Sequence, residues 1–599
     1  DSGLPLSSSE DEPFMDTLEA GQDTVSRLRN WAVTENITHQ SLDSLLKILK
    51  PRIPEVPGSA RSLLHTPSDT PVITFSNGEY AHFGLQKGLR TQLQHLPPVA
   101  SMAFEISFNI DGLPLFKSSG KEFWCILCSL HHPQFPHLNN IFIVGVFCGM
   151  TKPPLDDFLH QFIDELGDLL TVGLEYDNKH YRVLRAFICD APARSFVKAT
   201  KGHNSFYGCD SCCVEGQFHG RMTYPNLDAP LRTDESFADQ TQEDHHRGVS
   251  PLVSIGVPMV TKFVLDYMHL VCLGVTRRLI RCWLRGPLTV RLPSAVVGRL
   301  SGLLWELRDY TPMDFPRKCR GLSELDRWKA TEFRFFLLYA GPVVLKDALS
   351  RNLYQHFLVL HVAIAILASP SLQHMVDYAE QLLRYYVECS LTLYGRESLV
   401  YNVHCLIHLA NDCRRYGALD SFSAFPFENF LSKVKRCVRT GNKPLQQLYR
   451  RHEEITGIPD NEQAHAVVPG VKCDVVLSSR HTEGPTGGAR FNGQFRKVRL
   501  CNSLLSLSDA NKYVLISGRQ VVSIANFLVS RSDVILVGHK LQNSTDLFHY
   551  PCPSSTISVF CGTGFEKEVS LYSVTEIICK GMIFPFQGKL AFFPLFHLL

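Results

Sequence analysis

The chain opens on a polar stretch, and its hydrophobic period then changes three times. Residues 1–13, DSGLPLSSSEDEP, hold too few apolar groups to order and are expected as a disordered acidic tail. In Val25-Ser-Arg-Leu-Arg-Asn-Trp-Ala-Val33 apolar positions recur every three or four residues, and Ser41 to Leu49 repeats the habit, which predicts helices between Phe14 and about Leu64. Residues 14–99 are therefore expected to form an N-terminal helical unit. From about Ala100 the period becomes two. Phe104 to Ile110 alternates as a strand and meets Asp111-Gly112, a turn signal. Glu122–Cys128 and Ile141–Phe147 read as further strands, and Leu155–Leu166 has helical spacing behind Pro153-Pro154. Tyr181–Ile188 reads as a strand ending at Cys189-Asp190, and Val260–Leu265 as a fifth. Residues 216–250 are polar and turn-rich, as in a surface excursion. The helical period returns over 270–401, broken by a charged loop at Asp309–Arg320, and a helix-forming segment follows Phe427. Short alternating runs rich in Val, Ile, Phe, Ser and Gly then predict a separate C-terminal β-rich domain over 456–599.

Composition narrows the class. With 599 residues, 45% hydrophobic and 20% charged, the chain suits three or four units that each bury a core, and it does not fit disordered, collagen-like or coiled-coil classes. Lys+Arg of 60 against Asp+Glu of 58 leaves a net charge of +2, which excludes a uniformly basic coat but not local basic stripes. No run reaches the eighteen or so apolar residues of a membrane span. The longest, Phe357–Ala368, carries His361 and predicts a buried helix, so no membrane partner is expected. The acidic, Ser-rich start has no signal-peptide pattern. It begins at Asp1 rather than Met, which leaves room for upstream sequence. Nineteen Cys without framework spacing point to a reducing compartment with free or metal-bound thiols.

Two distant pairs supply a metal-ligand set. Cys209-Asp-Ser-Cys212 can aim two thiolates at one ion from a tight turn, and His404-Cys-Leu-Ile-His408 sets two imidazoles at i and i+4 on one helical face. Together they make the Cys2His2 set preferred by tetrahedral Zn²⁺. Both pairs flank candidate acids: Cys209 follows Asp190 by 19 residues and Glu428 follows His408 by 20. Asp111, Asp190 and Glu428 can share two Mg²⁺ (or Mn²⁺) ions about 4 Å apart, suited to phosphoryl chemistry. Taken singly, each Asp is also an ordinary turn residue or helix cap.

Three strands, a helix and a fourth strand, with an acid after the first and fourth, is the order of a ribonuclease-H-like core. The blocks Asn109-Ile-Asp-Gly-Leu-Pro-Leu-Phe116, Ile188-Cys-Asp-Ala-Pro-Ala-Arg194 and Asp266-Tyr-Met-His269 resemble those of CACTA-type (En/Spm, Tnp2-like) DNA transposases. So does His404-Cys-Leu-Ile-His-Leu-Ala-Asn-Asp-Cys-Arg-Arg-Tyr-Gly417 followed by Phe425-Pro-Phe-Glu428. The order is also similar to Transib-like transposases and the catalytic core of the V(D)J recombinase. The resemblance spans about residues 100–450. It implies an α/β fold, with a ribonuclease-H-like DDE core over 100–269 and 402–455, split by a helical insertion at 270–401. Asp111, Asp190 and Glu428 would be its catalytic triad and ligate two Mg²⁺. Cys209, Cys212, His404 and His408 would hold one structural zinc. The recombinase histidines stand one residue further apart, and Cys213 is an adjacent thiol that competes with Cys212. Asp266 and His269 match a further block of that family, whose role is less defined; on the functional reading His269 would contact the scissile phosphate or the attacking water. The alternative is that Asp266 ends the fifth strand and His269 caps the next helix.

The implied activity is transposition. Terminal inverted repeats are bound, phosphodiester bonds at the element ends are hydrolysed, and the 3′-hydroxyls are joined to target DNA. Double-stranded DNA in the nucleus and at least a homodimer are implied with it, and the N-terminal unit would serve DNA binding or dimerisation. Other readings are a host-recruited non-catalytic DNA-binding or scaffold protein, or a nuclease without strand transfer. Two basic runs would contact phosphates: Lys433, Lys435, Arg436, Arg439 and Lys443 after Glu428, with Arg450 and Arg451 beyond, and Arg277, Arg278, Arg281 and Arg285 at the start of the insertion. A solvated helix face is the plainer account of such runs. Trp328 and Phe333 suit core packing, or stacking on an unpaired base.

Overall fold

The computed structural model describes residues 16–94, 104–117, 119–131, 140–176, 179–181, 184–457, 475–500, 503–530 and 533–596. The expected acidic tail lies outside them. The chain is mixed α/β, with a sheet in its N-terminal part, a helical block, and a C-terminal β-rich domain.

Helices α1 (Asp16–Thr34), α2 (His39–Leu49) and α3 (Ala60–Leu64) surround a small core of Ala32, Leu42, Leu46, Val56, Leu63 and Leu64. Thr38 and Ser59 cap α2 and α3 through their side chains. The helical unit ends there, not at 99. Strands β1 (Ile73–Phe75) and β2 (Gly78–His82) form a hairpin that joins the main sheet, and α4 (Leu85–Gln94) buries Leu85, Leu89 and Leu93 on it. The correction has a local cause. These strands are three and five residues long, too short for alternation to stand out from the surrounding polar turns.

The sheet continues with β3 (Glu105–Pro114), β4 (Glu122–His131) and β5 (Asn140–Gly149). Helix α5 (Leu155–Thr171) and a short hairpin, β6 (Leu174–Tyr176) and β7 (Lys179–Tyr181), lead to β8 (Leu184–Cys189) and helix α6 (Ala191–Val197). A second hairpin, β9 (Gln217–Phe218) and β10 (Met222–Thr223), precedes β11 (Phe263–Leu265). Among the described residues the sheet order is β1-β2-β5-β4-β3-β8-β11, with β3, β8 and β11 parallel and β4 antiparallel to both neighbours. β3 does not stop at Asp111-Gly112 as expected. It runs to Pro114, with Asp111 opposite Cys125 and Gly112 opposite Trp124, because β4 offers a partner along its whole length.

Both faces of the sheet are covered, which is why its central strands read as nearly continuous apolar runs. Ile106, Phe108, Ile110, Trp124 and Ile126 pack with Phe158, Phe162 and Leu166 of α5, Phe108 meeting Phe162 edge-on at 4.9 Å. Phe123, Cys125, Leu127 and Ile188 face the helical block. By the period of two, Asp111 shares this second face. Residues 216–250 are no simple excursion: Thr223, Phe237 and His245 are buried against the core.

In the helical block, Arg351–Ala368 is long and apolar enough to resemble a membrane span, but it lies inside the protein beside the helix Val376–Tyr394. His361 sits there fully buried, its Nδ1 2.9 Å from the Leu337 carbonyl, and burial lowers its pKa to about 4. Trp328 and Phe333 are both buried, with ring centroids 5.4 Å apart, so they belong to the core and have no free ring face for a base.

The C-terminal domain is built of antiparallel pairs between Val476 and Pro594. It shares a core with the helical block, where Phe335 and Tyr339 meet Phe584 and Phe593. The junction also buries an ion pair. The Lys580 ammonium meets the Asp314 carboxylate and donates to the Leu504 carbonyl at 2.7 Å and Asn511 Oδ1 at 3.0 Å. Burial lowers the Lys580 pKa against the raising influence of Asp314. Removing one partner strands the other, at about 3–5 kcal/mol. Asp314→Ala should therefore lower stability by roughly that amount in urea unfolding, and the double variant Asp314→Ala/Lys580→Met should recover most of it. The single variant's deficit should shrink as pH rises toward the free lysine value of 10.5, because an unfolded chain that binds more protons gains stability with pH. An additive double variant would mean that the pair does not couple the two regions.

Candidate functional site

The parallel registers of β3, β8 and β11 bring three carboxylates to one edge. Phe108 pairs with Phe187, and Cys189 with Leu265. Carried past the ladder, these registers set Asp111 beside Asp190 and Asp190 beside Asp266, at the carboxyl ends where open α/β sheets place their ligands. Asp190 is also the N-cap of α6, accepting from the Ala193 amide at 2.7 Å, so its capping and site readings coexist. Asp111 accepts from the Gly112 amide at 2.7 Å.

Asp266 is buried and organises the rest of the cluster. It accepts from the His269 amide at 2.9 Å, lies 2.6 Å from His269 Nδ1, and accepts from the Ala424 amide at 2.8 Å. The last bond fixes the start of the helix Phe425–Arg436, whose first turn carries Glu428. His269 Nε2 then stands 3.9 Å from Glu428 Oε1. Burial opposes a charge on His269, but its bond to Asp266 and the carboxylates of Asp190 and Asp111 prevail and raise its pKa to about 9. For Asp111, burial and the neighbouring Asp190 and Glu428 push the carboxyl up to about 8, with His269 acting in the opposite sense. The structure thus brings together Asp111, Asp190, Glu428 and His269, with Asp266 as the orienting group. His269 also lies at the start of a wide-turned helical stretch, Met268–Thr276, of the π type often found at functional sites.

Cys209, Cys212, His404 and His408 are all buried, and their ligand atoms lie within 4.8 Å of one another. Cys212 Sγ is 3.5 Å from Cys209 Sγ and 3.3 Å from His404 Nε2, and Cys209 Sγ is 3.8 Å from His408 Nε2. Such separations suit four ligands around one ion with bonds of about 2.0–2.3 Å. The set can hold a structural metal such as zinc. His404 Nδ1 lies 3.2 Å from the Tyr224 carbonyl, a partner that orients the ring. The histidines do not share one α-helical face as expected. Tyr401–His404 is an α-turn and Cys405–His408 a tighter 3₁₀ turn, so both rings meet the thiols from a compact double turn. Cys213 is outside the cluster, its amide bonded to the Pro230 carbonyl.

A buried network that sequence reasoning did not anticipate surrounds this centre. Arg194 donates to Asp210 at 3.0 Å, to the Val264 carbonyl at 2.9 Å and to the Tyr401 hydroxyl, while Lys198 reaches Asp210 at 3.2 Å. Burial works against the Asp210 charge, but Lys198 and Arg194 hold its carboxyl well below the usual range. Asp412 accepts from the Leu265 amide at 2.8 Å, and burial raises its carboxyl to about 6. The sequence signals for this network are Asp210 inside the CxxC pair, Arg194 closing the Ile188 block and Asp412 inside the His404–Gly417 block; Tyr401 stands just before the histidine pair with no pattern to mark it.

The basic residues separate into two kinds. Lys433 and Arg436 are exposed on the helix of Glu428. Lys435 is tied to the Pro114 carbonyl, and Arg439, beyond the helix end, donates to the Asn36 carbonyl at 2.6 Å. Arg451 is buried against Glu454 at 2.9 Å and holds the N-terminal helices through Ala32, so it has no surface to offer DNA. Arg277 and Arg278 are half-buried, and Arg281 and Arg285 share Asp326.

Residues 480–595 match a family model described as a domain of unknown function, DUF8592. This span coincides with the C-terminal β-rich domain. No curated protein matches the chain.

If the four buried ligands hold one ion, elemental analysis of purified protein should find about one zinc per chain. Cys209→Ser or His408→Ala should then lose the metal together with much of the thermal stability, since metal binding energy is folding energy here. Metal-free protein with an unchanged melting temperature would rule out a structural metal at these four residues.

Proposed function

We propose that this chain is a metal-dependent DDE-type DNA transposase of the CACTA kind, with a ribonuclease-H-like core interrupted by the helical block. The observation that carries the reading is the convergence of Asp111, Asp190 and Glu428 beside His269 on the carboxyl edge of parallel strands. The order β5-β4-β3-β8-β11, with only β4 reversed among these five, supports the core expected from the motifs.

Carboxylate oxygens are the hard donors that Mg²⁺ or Mn²⁺ takes. Burial, and then the crowding of Asp190 and Glu428, pushes Asp111 up to about 8, and a divalent cation relieves that crowding. Asp111, Asp190 and Glu428 would hold two such ions. When bound, they supply an activated water or 3′-hydroxyl and stabilise the leaving oxygen at phosphorus. The protein's own part is positioning. Asp266 holds the His269 ring and keeps it positive, so Nε2–H can donate to a phosphate oxygen beside Glu428. Lys433 and Arg436 offer exposed cations for the backbone of the bound duplex. Two element ends must be cut together, which calls for at least a dimer acting on terminal repeats and target DNA in the nucleus.

Asp111→Ala, Asp190→Ala and Glu428→Ala should each abolish cleavage of labelled DNA carrying the element's ends, while binding in gel shift stays within a few fold. Each removes a ligand oxygen without touching a phosphate contact. Joined products from the wild-type chain support transposition; cut ends alone would make it a nuclease, and binding without cutting a scaffold. Normal cutting by any one variant would take that residue out of the triad.

Lys433→Ala with Arg436→Ala should weaken binding to all DNA sequences alike. The slope of log affinity against log salt should flatten by about 0.9 for each phosphate that is no longer neutralised. An unchanged slope would return this face to plain solvation.

A further inference from the structure

The helix Arg277–Arg285 sets Arg277, Arg281 and Arg285 at four-residue spacing, with Arg278 beside them. A different segment adds Arg221, from the turn between β9 and β10. All five arginines line one cavity of about 810 Å³, whose acidic lining residues are Asp326 and Glu397. Asp326 is shared by Arg281 at 2.7 Å and Arg285 at 2.9 Å, and Arg278 donates to the Glu397 carbonyl at 2.6 Å. A solvated charge run faces bulk water, whereas here two chain segments converge their arginines on one concave wall. Burial, then the nearness of Arg281, lowers the Arg277 pKa; burial, then Arg221, does so for Arg278. A bound polyanion relieves that repulsion, and the planar guanidinium fork matches phosphate oxygens in pairs.

The cavity lies next to the acidic cluster. Asn402 lines both this cavity and the small cleft of Asp190, Asp266 and His269. The helical stretch Met268–Thr276, which carries His269, runs on into Arg277 and Arg278, on the order of 10 Å further along the axis. Tyr386 and Tyr394 also line the cavity, but both are packed on His356, Tyr386 stacked at 4.1 Å. The wall therefore offers charge rather than ring faces, which selects phosphate over base.

We propose that this cavity is a second phosphate site, which takes consecutive backbone phosphates of the DNA strand held at the acidic cluster. The proposal rests on reading the chain as a DNA-cleaving protein. It is tested with the full chain and labelled element-end DNA in which single phosphates are replaced, one at a time, by neutral methylphosphonates. At one or two adjacent positions near the cut site, wild-type binding should weaken about three- to tenfold. In R278Q/R281Q those penalties should vanish while binding to all sequences weakens. Arg221→Gln, an exposed change on the other segment, should reproduce a part of the effect and guards against a helix that fails to fold.

An identical interference pattern in wild type and variants, with cleavage intact, would overturn this proposal and leave the transposase reading standing. So would a melting-temperature rise with inorganic triphosphate that R278Q/R281Q abolishes while DNA interference is unchanged, since the pocket would then serve a free polyphosphate. A wild-type chain that binds no DNA would fell both.

Discussion

The proposed site depends on holding a late segment of the chain against the edge of a sheet made much earlier. Glu428 lies far along the chain from the sheet it faces; it arrives because residues 401–428 are pinned in several places. Asp266 accepts from Ala424 across 158 residues, Asp412 accepts from Leu265 across 147, and Arg194 reaches Tyr401 across 207. The four Cys and His ligands lie on the same seam. Most of these attachments are buried and charge-assisted, so each costs far more to break than a surface contact. The helical block can leave and return without disturbing the edge because both of its ends are fastened there.

Asp210 and Asp111 illustrate how neighbours decide whether the upward push of burial on a carboxyl prevails. Asp210 sits between Lys198 and Arg194 and stays ionised. Asp111 is pushed up to about 8 by burial, to which Asp190 and Glu428 add where Asp210 has cations. The first arrangement is a finished structural ion network. The second is incomplete in charge, with His269 as the nearest compensation, and such unresolved crowding marks a place for a cation or a reacting group.

The C-terminal β-rich domain, where the family match lies, is joined to the helical block by a common apolar core and by the ion pair of Lys580 with Asp314. The N-terminal helices are seated differently, through Glu454, which receives His39 at 2.8 Å, Thr66 and Arg451. That seat is a cluster of titratable groups instead of a continuous apolar core.

Local pattern was sufficient for much of this. Alternation over Phe104–Ile110 and Glu122–Cys128, helical spacing over Leu155–Leu166, and the buried helix at Phe357–Ala368 all follow from which positions must leave water, and the structure has these elements. The Cys2His2 set was legible too, because ligand chemistry restricts residue type and spacing severely. What local pattern could not contain was pairing. That β1 and β2 belong to the main sheet, that β3 runs past Asp111, and that Arg451 is buried rather than basic surface each depend on a partner distant in sequence. The same holds for Arg221 meeting Arg278 and for Tyr401 meeting Arg194. Hydrophobic period reports only whether a residue faces inward. Which two inward faces meet is decided by the summed packing of the whole chain, and tertiary structure alone records it.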